Sequence, residues 1–364
     1  MRIGLDATWA AGAGGTASYT RGLVRALVAR ADHQYTLYFR PGDEVQNPLW
    51  RLDAPHVRRH VVRFPTQPGR SLLGLSRAAS GDRLDLFHSP GYFLPLWRGP
   101  KVVTFHDANM FLQVGRRLGP GRRLDTLSLC VQSALSARVA ARIVTVSQSA
   151  AGEIQRVFRV PDNRLSVVYP GIDEAYFNVS DNRTIHCDRY VLAVGEVIPQ
   201  KNIEGMIRAL ALIQDKDLNL ALAGTPDTLY LRHTVLPLAR QLGIERRVRC
   251  LGVVPARELP ALYRGATAFL FPSFAEGFGI PPLEAMASGT PVIASNRSSL
   301  PEILGQAALL VDPDAPHAIA SGIDSIISDP ALRASLVGRG RARAAEFRWE
   351  RAAAEVICIY DSLL

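Results

Sequence analysis

Two carboxylates, Glu276 and Glu284, stand eight residues apart in FPSFAEGFGIPPLEAMASGTPVIAS, Phe271–Ser295, a stretch otherwise dominated by Phe, Ile, Leu, Ala and Pro. Glutamate is rarely buried without a partner. The pair therefore either faces water or belongs to a pocket whose ligand supplies hydrogen bonds. Gly277 and Gly279 let the backbone approach such a ligand closely. Carboxylates accept from hydroxyls, and free amides at a helix N-terminus donate to oxygens and favour an anion. A polyol joined to a phosphate would satisfy both. On spacing alone, Glu284 is explained equally well as an acidic residue complementing a helix N-terminus. Lys201 adds a cation: only three of the 42 basic residues are lysines, and this one follows a strand.

These residues need elements to position them. Glu276 is expected in a loop after the strand Ala268–Phe271. Glu284 belongs in the first turn of a helix Pro281–Ser288, because proline suits a position whose N–H would be unsatisfied anyway. Short apolar runs alternate with helical patterns along the whole chain, the signature of parallel sheets flanked by helices. Expected strands are Arg2–Ala7, Tyr35–Phe39, Val57–Phe64, Leu84–His88, Lys101–Phe105, Arg142–Val146 and Leu165–Val168, with helices at Ala17–Arg30 and Leu124–Ala141. After the polar stretch Asn178–Asp188, strands restart at Tyr190–Val194, Leu218–Ala223, Val248–Leu251, Ala268–Phe271, Pro291–Ala294 and Ala308–Val311. Helices are expected at Ile203–Ile213, Leu229–Leu242, Glu258–Arg264, Ser299–Ile303, Ala315–Ile327, Pro330–Glu346 and the tail from Trp349. The chain thus divides into a domain over 1–178, a linker over 179–188, a second domain over 189–346 and a tail helix over 347–364 that returns to the first domain. Both domains are α/β, doubly wound and Rossmann-like, with a central cleft between them, and ligands of such sheets bind beyond the carboxyl ends of the strands.

Bulk properties bound the function. At 364 residues the chain is too long for one ordinary core, and 48% hydrophobic with 21% charged residues supplies two. Cys130, Cys187, Cys250 and Cys358 lack metal-like spacing, as expected of reduced thiols in the cytoplasm. MRIGLDATW enters a strand directly, so no signal peptide is expected, and no apolar run reaches the ~20 residues needed to span a bilayer. The net charge of +9 comes mainly from arginine and suits an acidic substrate or an anionic membrane surface. Nothing resembles a nucleic-acid-reading motif, so no nucleic-acid partner is expected. Arg116, Arg117, Arg122 and Arg123 cluster before an apolar helix and would suit the inner face of a membrane, as a peripheral contact, as well as plain solvent. Asp215–Asp217 and Asp312–Asp314 are Asp-x-Asp pairs of the kind that hold a divalent ion, but both fall in expected surface turns, so no metal is expected.

The pattern Glu-Gly-Phe-Gly-x3-Leu-Glu-Ala-Met-Ala-x-Gly-x-Pro-Val resembles the hallmark of glycosyltransferase family 4, retaining enzymes of the GT-B architecture. The resemblance covers nearly the whole chain: GGTASYTRGLVRAL (Gly14–Leu27), VVTFHD (Val102–Asp107), VVYPGID (Val167–Asp173), VGEVIPQKN (Val194–Asn202) and LPALYRGATAFLFPS (Leu259–Ser273) follow in the family's order. It implies that Glu276 holds hydroxyls of the donor sugar, that amides of Gly277, Phe278 and Gly279 add contacts to sugar and diphosphate, and that Glu284 accepts from the ribose. It further implies that Lys201 neutralises the leaving diphosphate, that Gly14 and Gly15 bring backbone to the diphosphate, and that His106 sits over the donor sugar near the acceptor. Base selection would fall to the loop Gly252–Pro255, Val253 included. The sequence departs from the family at Glu196 and Gln200, where relatives commonly carry a second cation. The implied activity is metal-independent, retaining transfer of a hexose from a nucleotide diphosphate sugar, GDP-mannose first, to a glycan or lipid-linked acceptor, with no other cofactor. A nucleotide-sugar epimerase of the same architecture and a non-catalytic nucleotide-sugar-binding module remain alternatives.

Overall fold

The computed structural model describes residues 1–12, 14–62, 68–108, 111, 120–178, 189–224 and 229–364. The chain forms two compact units, Met1–Gly171 with Arg348–Leu364, and Ile172–Phe347. The first unit holds a seven-stranded sheet of order β3-β2-β1-β4-β5-β6-β7. Its strands are β1 (Arg2–Asp6), β2 (Gln34–Phe39), β3 (Val57–Val61), β4 (Leu86–Ser89), β5 (Lys101–Phe105), β6 (Arg142–Thr145) and β7 (Leu165–Val167). The second holds six, of order β10-β9-β8-β11-β12-β13. These are β8 (Tyr190–Val194), β9 (Asn219–Ala223), β10 (Val248–Gly252), β11 (Ala268–Phe271), β12 (Val292–Ser295) and β13 (Leu309–Val311). Every strand pairing is parallel.

Parallel strands covered by helices on both faces read as continuous apolar runs, and β5, β11 and β12 are buried at every position. One core in the second unit joins Leu220, Leu222, Leu270 and Ile293 of the sheet to Ile207 and Ile323 of its helices. In the first, Phe87, Val103, Phe105 and Ile143 pack with Ala137 and Ile154. The strand order reverses between β1 and β4 in one sheet and between β8 and β11 in the other. Those reversals are where chain ends diverge and leave a crevice.

Several boundaries differ from the sequence expectation. The break between units falls at Gly171/Ile172 rather than after residue 178, because the buried Ile172 donates its amide to Phe347 O at 3.0 Å and Tyr176 packs its ring against Tyr263. The expected linker, 179–188, lies outside the described residues, as do Phe64, Arg116, Arg117 and Cys187. The helices Asp43–Gln46, Pro68–Gly81 and Gln148–Phe158 of the first unit were not expected from the sequence. The tail helix Trp349–Asp361 belongs to the first unit and packs on the helix Gly15–Arg30. Trp349 lies so close to Gly22 that a Cβ there would fall about 2.0 Å from the indole. At the far end of this helix, the buried Tyr360 hydroxyl meets His88 Nδ1 at 2.5 Å, and His88 Nε2 meets Thr104 Oγ1 at 2.9 Å.

Candidate active site

In the second unit the chemistry-bearing residues gather at the β8/β11 reversal. β8 runs into a short 3-10 turn, Pro199–Lys201, and β11 into the loop carrying Glu276. Lys201 Nζ donates to Glu276 Oε1 at 2.6 Å, with the two side chains 21% and 11% exposed. The same ammonium lies 4.9 Å from the centre of the Phe271 ring, a cation–π distance. A cation and a carboxylate flagged separately by the sequence, 75 residues apart, are thus one ion pair.

Polar side chains beside the ion pair hold both loops in place. Gln200 Nε2 donates to Ala275 O at 2.7 Å, and the Phe274 amide donates to Gln200 O at 2.9 Å. The glutamine at a position where relatives carry a cation therefore ties the lysine turn to the glutamate loop. Asn202 is buried in the left-handed conformation, accepts from the Gly205 amide at 3.1 Å and so caps the helix Ile203–Leu212. Its Nδ2 donates to Pro272 O and Pro313 O, at 3.2 and 2.7 Å. On the other side of the loop, Ser298 Oγ accepts from the Glu276 amide at 3.2 Å and donates to Glu276 O at 2.7 Å. Ser299 Oγ donates to Glu276 O and Phe278 O. Asn202 is the one of these with a sequence signal, since it directly precedes an apolar helical pattern as an N-cap should.

Glu284 sits in the helix Ile280–Ala287 and accepts from the Tyr263 hydroxyl at 2.9 Å. Burial, with the Glu284 charge beside it, holds the Tyr263 phenol well above its usual pKa, so it stays a donor. Pro281 and Pro282 remove two first-turn N–H groups, which leaves the Gly279 and Ile280 amides as the donors of that helix end. Gly279 has φ +101° and a Cβ there would lie 2.7 Å from Leu300, so the fold itself requires glycine. Phe278 is buried with its ring edge-on to Phe347. Val253 stands exposed beyond β10, two strands from β8.

The remaining predicted residues lie in the first unit, after β1 and β5. Gly14 has φ +91° and precedes the helix Gly15–Arg30, which has no side-chain cap and no acidic residue in its first turn. Nothing lies within 4 Å of a Cβ built on Gly15, so packing does not dictate glycine there. His106 donates Nε2–H to Pro90 O at 2.9 Å, and burial lowers its pKa to about 4. The imidazole is therefore neutral at physiological pH, and Nδ1 is its acceptor. Tyr19, one turn into the first helix, meets His106 edge-on with ring centres 4.8 Å apart. Beside them Trp9 is fixed by Nε1 donating to Asp6 Oδ2 at 3.1 Å and stands 5.7 Å from the Phe93 ring.

Both Asp-x-Asp pairs already have cationic partners. Arg189 meets Asp215 at 2.7 Å, and Arg297 bridges Asp312 and Asp314 at 2.6 and 2.7 Å. Among the described residues, no cluster of three or more His, Cys, Asp or Glu side chains could hold a metal ion.

Comparison with known proteins agrees with this arrangement. Residues 13–176 match the model described as Glycosyltransferase Family 4, and residues 179–343 match Glycosyl transferases group 1. The O-antigen chain mannosyltransferase B of Escherichia coli is 32% identical over 293 residues, 76% of this chain and 74% of that one. Among solved structures, sucrose-phosphate synthase from Thermosynechococcus elongatus superimposes with a TM-score of 0.83 at 24% identity, over 100% of this chain and 98% of that one. Anabaena HepE in complex with UDP-glucose gives 0.76 at 19%, covering 100% and 99%. With two parallel-sheet Rossmann-like units, the hallmark glutamates on the loop and helix after β11, family models matching both halves and a relative 32% identical over most of its length, the chain belongs to glycosyltransferase family 4.

Proposed function

We propose that this glycosyltransferase transfers mannose, with retention of the α configuration, from GDP-mannose to a hydroxyl of a glycan or lipid-linked acceptor. The observation that carries the donor site is the Lys201–Glu276 pair at the β8/β11 reversal, with Glu284 following on the next helix. Lys201 meets the diphosphate and stabilises the charge that develops as the sugar–phosphate bond breaks, without a metal ion. Glu276 accepts from sugar hydroxyls. Glu284, steadied by Tyr263, accepts from the ribose. The uncapped start of the helix Gly15–Arg30 suits an anion. Neutral His106 offers Nδ1 to a hydroxyl of the transferring sugar. Retention rests on the family resemblance. The mannose assignment draws on the E. coli mannosyltransferase, and the nucleotide-sugar donor on the UDP-glucose complex of HepE.

An anionic lipid surface is the proposed seat of the acceptor. Arg122 and Arg123 begin the helix Pro120–Val139. Farther along it Val131, Leu135 and Val139 face outward, 51%, 52% and 46% exposed, while Ser133 and Ser136 are buried. A helix that exposes an apolar i, i+4, i+8 stripe and buries serines suits a membrane better than water. Among the described residues no helix is long and apolar enough to cross a bilayer.

The test is a thermal-shift screen of nucleoside diphosphates followed by hydrolysis and transfer assays on their sugars in EDTA. GDP should stabilise most, and GDP-mannose should be consumed. Conversion of the donor into an epimer without transfer would establish the epimerase instead. Tight binding with no turnover of any donor would establish a binding module.

A further inference from the structure

A second recess opens on the other side of the Pro199–Asn202 turn, with a volume of about 270 Å³. Pro199, Glu204, Arg208, Tyr230, Phe274 and Pro316 line it, whereas Lys201, Glu276 and Glu284 do not. Its lining leaves out the donor-binding side chains, although Phe274 belongs to the loop of Glu276 and the Pro199–Asn202 turn is shared. Its size lies just under the ~300–1,000 Å³ typical of small-molecule sites. From this recess we infer a binding site for a neutral saccharide, a segment of glycan held apart from the reacting sugar.

The lining argues for that ligand class. Phe274 leaves 38% of its surface exposed at the mouth, although its backbone is fixed by the amide bond to Gln200 O. An aromatic face carries partial negative charge and attracts the C–H face of a pyranose. Tyr230 adds a second ring, held by its hydroxyl donating to Glu204 Oε1 at 3.0 Å. Polar groups for the ring's hydroxyls are already oriented. Glu204 is positioned by Tyr230, and Asp314 by Arg297 at 2.7 Å. The Arg208 guanidinium is exposed and has no hydrogen-bond or ion-pair partner among the described residues, so its donors are available.

Charge sets the sign of the ligand. Two carboxylates, Glu204 and Asp314, line the recess with one guanidinium, Arg208, while Arg297 outside it is shared between Asp312 and Asp314. This lining disfavours an anion, and hydroxyls are the groups that carboxylates and a guanidinium can both bind. The floor is rigid: a Cβ on Gly205 would fall 2.5 Å from Asn202 Oδ1, so helix and turn are in direct contact. Occupancy here adds a second point of attachment for a long acceptor, which raises its effective concentration without a new contact at the donor.

The choice of saccharide rests on the glycosyltransferase reading; the site itself does not. Saturation-transfer NMR on the full chain, with linear α-mannotriose as probe and excess GDP present, tests it. Transfer should persist with GDP bound and fall at least ~5-fold in Phe274→Ala and in Arg208→Ala, a loss of about 1 kcal/mol. GDP affinity should stay unchanged in both, which shows that the fold and the donor loop survive. Loss of the signal on adding GDP would place the sugar in the donor site and overturn the inference. Unchanged signal in both variants, or no signal at ~10 mM trisaccharide, would overturn it too. Trisaccharide binding that depends on Phe274, in a protein that consumes no donor, would leave this site standing and refute the proposed activity.

Discussion

Replacing Glu276 by glutamine separates the roles of the lysine and the glutamate. Lys201 Nζ is held by Glu276 at 2.6 Å, with 21% and 11% of the side chains exposed. A fully exposed pair contributes about 0–1 kcal/mol, and breaking a buried one costs about 3–5. This pair lies between, so Glu276→Gln should cost about 1–2 kcal/mol of ligand-free stability. The loop itself should stay in place, because Ser298, Ser299 and Gln200 hold it through backbone atoms of residues 275–278. Without its carboxylate partner, Lys201 gives more of its charge to a diphosphate. GDP should therefore bind Glu276→Gln as tightly as wild type or up to ~5-fold more tightly, about 1 kcal/mol. Catalysis should move the other way. A donor sugar that has lost its charged acceptor is misaligned, and misplacement by ~1 Å costs about 100-fold in rate. Calorimetry with GDP beside steady-state kinetics with GDP-mannose reads both effects. GDP binding weakened ~10-fold or more, or an unchanged kcat, would refute the assignment of the sugar to Glu276 and of the phosphate to Lys201.

The remaining expectations concern Glu284, pH and the lipid surface. Glu284→Ala should weaken GDP and GDP-mannose alike by about 1.5–3 kcal/mol, roughly 10- to 150-fold. It should also destabilise the protein by leaving the buried Tyr263 hydroxyl without its acceptor. Glu284→Gln keeps that acceptor and should restore stability before affinity; calorimetry and thermal melts that moved together in both variants would count against a ribose role. Burial lowers the His88 pKa to about 3, against ~6.5 in the unfolded chain, so below that higher value the unfolded state binds the extra proton. Stability should then be fully present above pH ~6.5 and fall as pH drops towards 3, by up to ~1.4 kcal/mol per pH unit. Denaturant melts of His88→Gln should show a shallower slope over that window, and an identical slope would contradict the neutral imidazole. Vesicles rich in anionic lipid should sediment the wild-type chain, and Leu135→Ser should weaken that binding; equal sedimentation with neutral vesicles would argue against charge at the surface.

Much of this was legible because apolar runs in parallel sheets are continuous. Strands such as Ala268–Phe271 and Tyr190–Val194 stand out, and a glutamate or lysine just after one is conspicuous. Pairings between distant residues carry no local signature. Nothing near Tyr263 announces that its hydroxyl reaches Glu284, 21 residues on, and nothing marks the 75-residue link from Lys201 to Glu276. The helix Gln148–Phe158 was legible in principle, since Ser147 accepts from the Ala150 amide as an N-cap should. Strand Val57–Val61 carries less of that signal, because its arginines at 58 and 59 face solvent. The boundary at Gly171/Ile172 depends on a contact with Phe347, at the other end of the second unit, and so lay beyond any window of sequence.

The most direct measurement is the consumption of GDP-mannose, in EDTA and with a lipid-linked glycan acceptor, by the wild-type chain and by Lys201→Ala. The account predicts an α-linked mannosyl product from wild type. It predicts that Lys201→Ala lowers kcat/KM by at least ~100-fold, about 2.7 kcal/mol of lost transition-state stabilisation. A β-linked product, a strict need for added Mg²⁺ or Mn²⁺, or undiminished turnover by Lys201→Ala would contradict it.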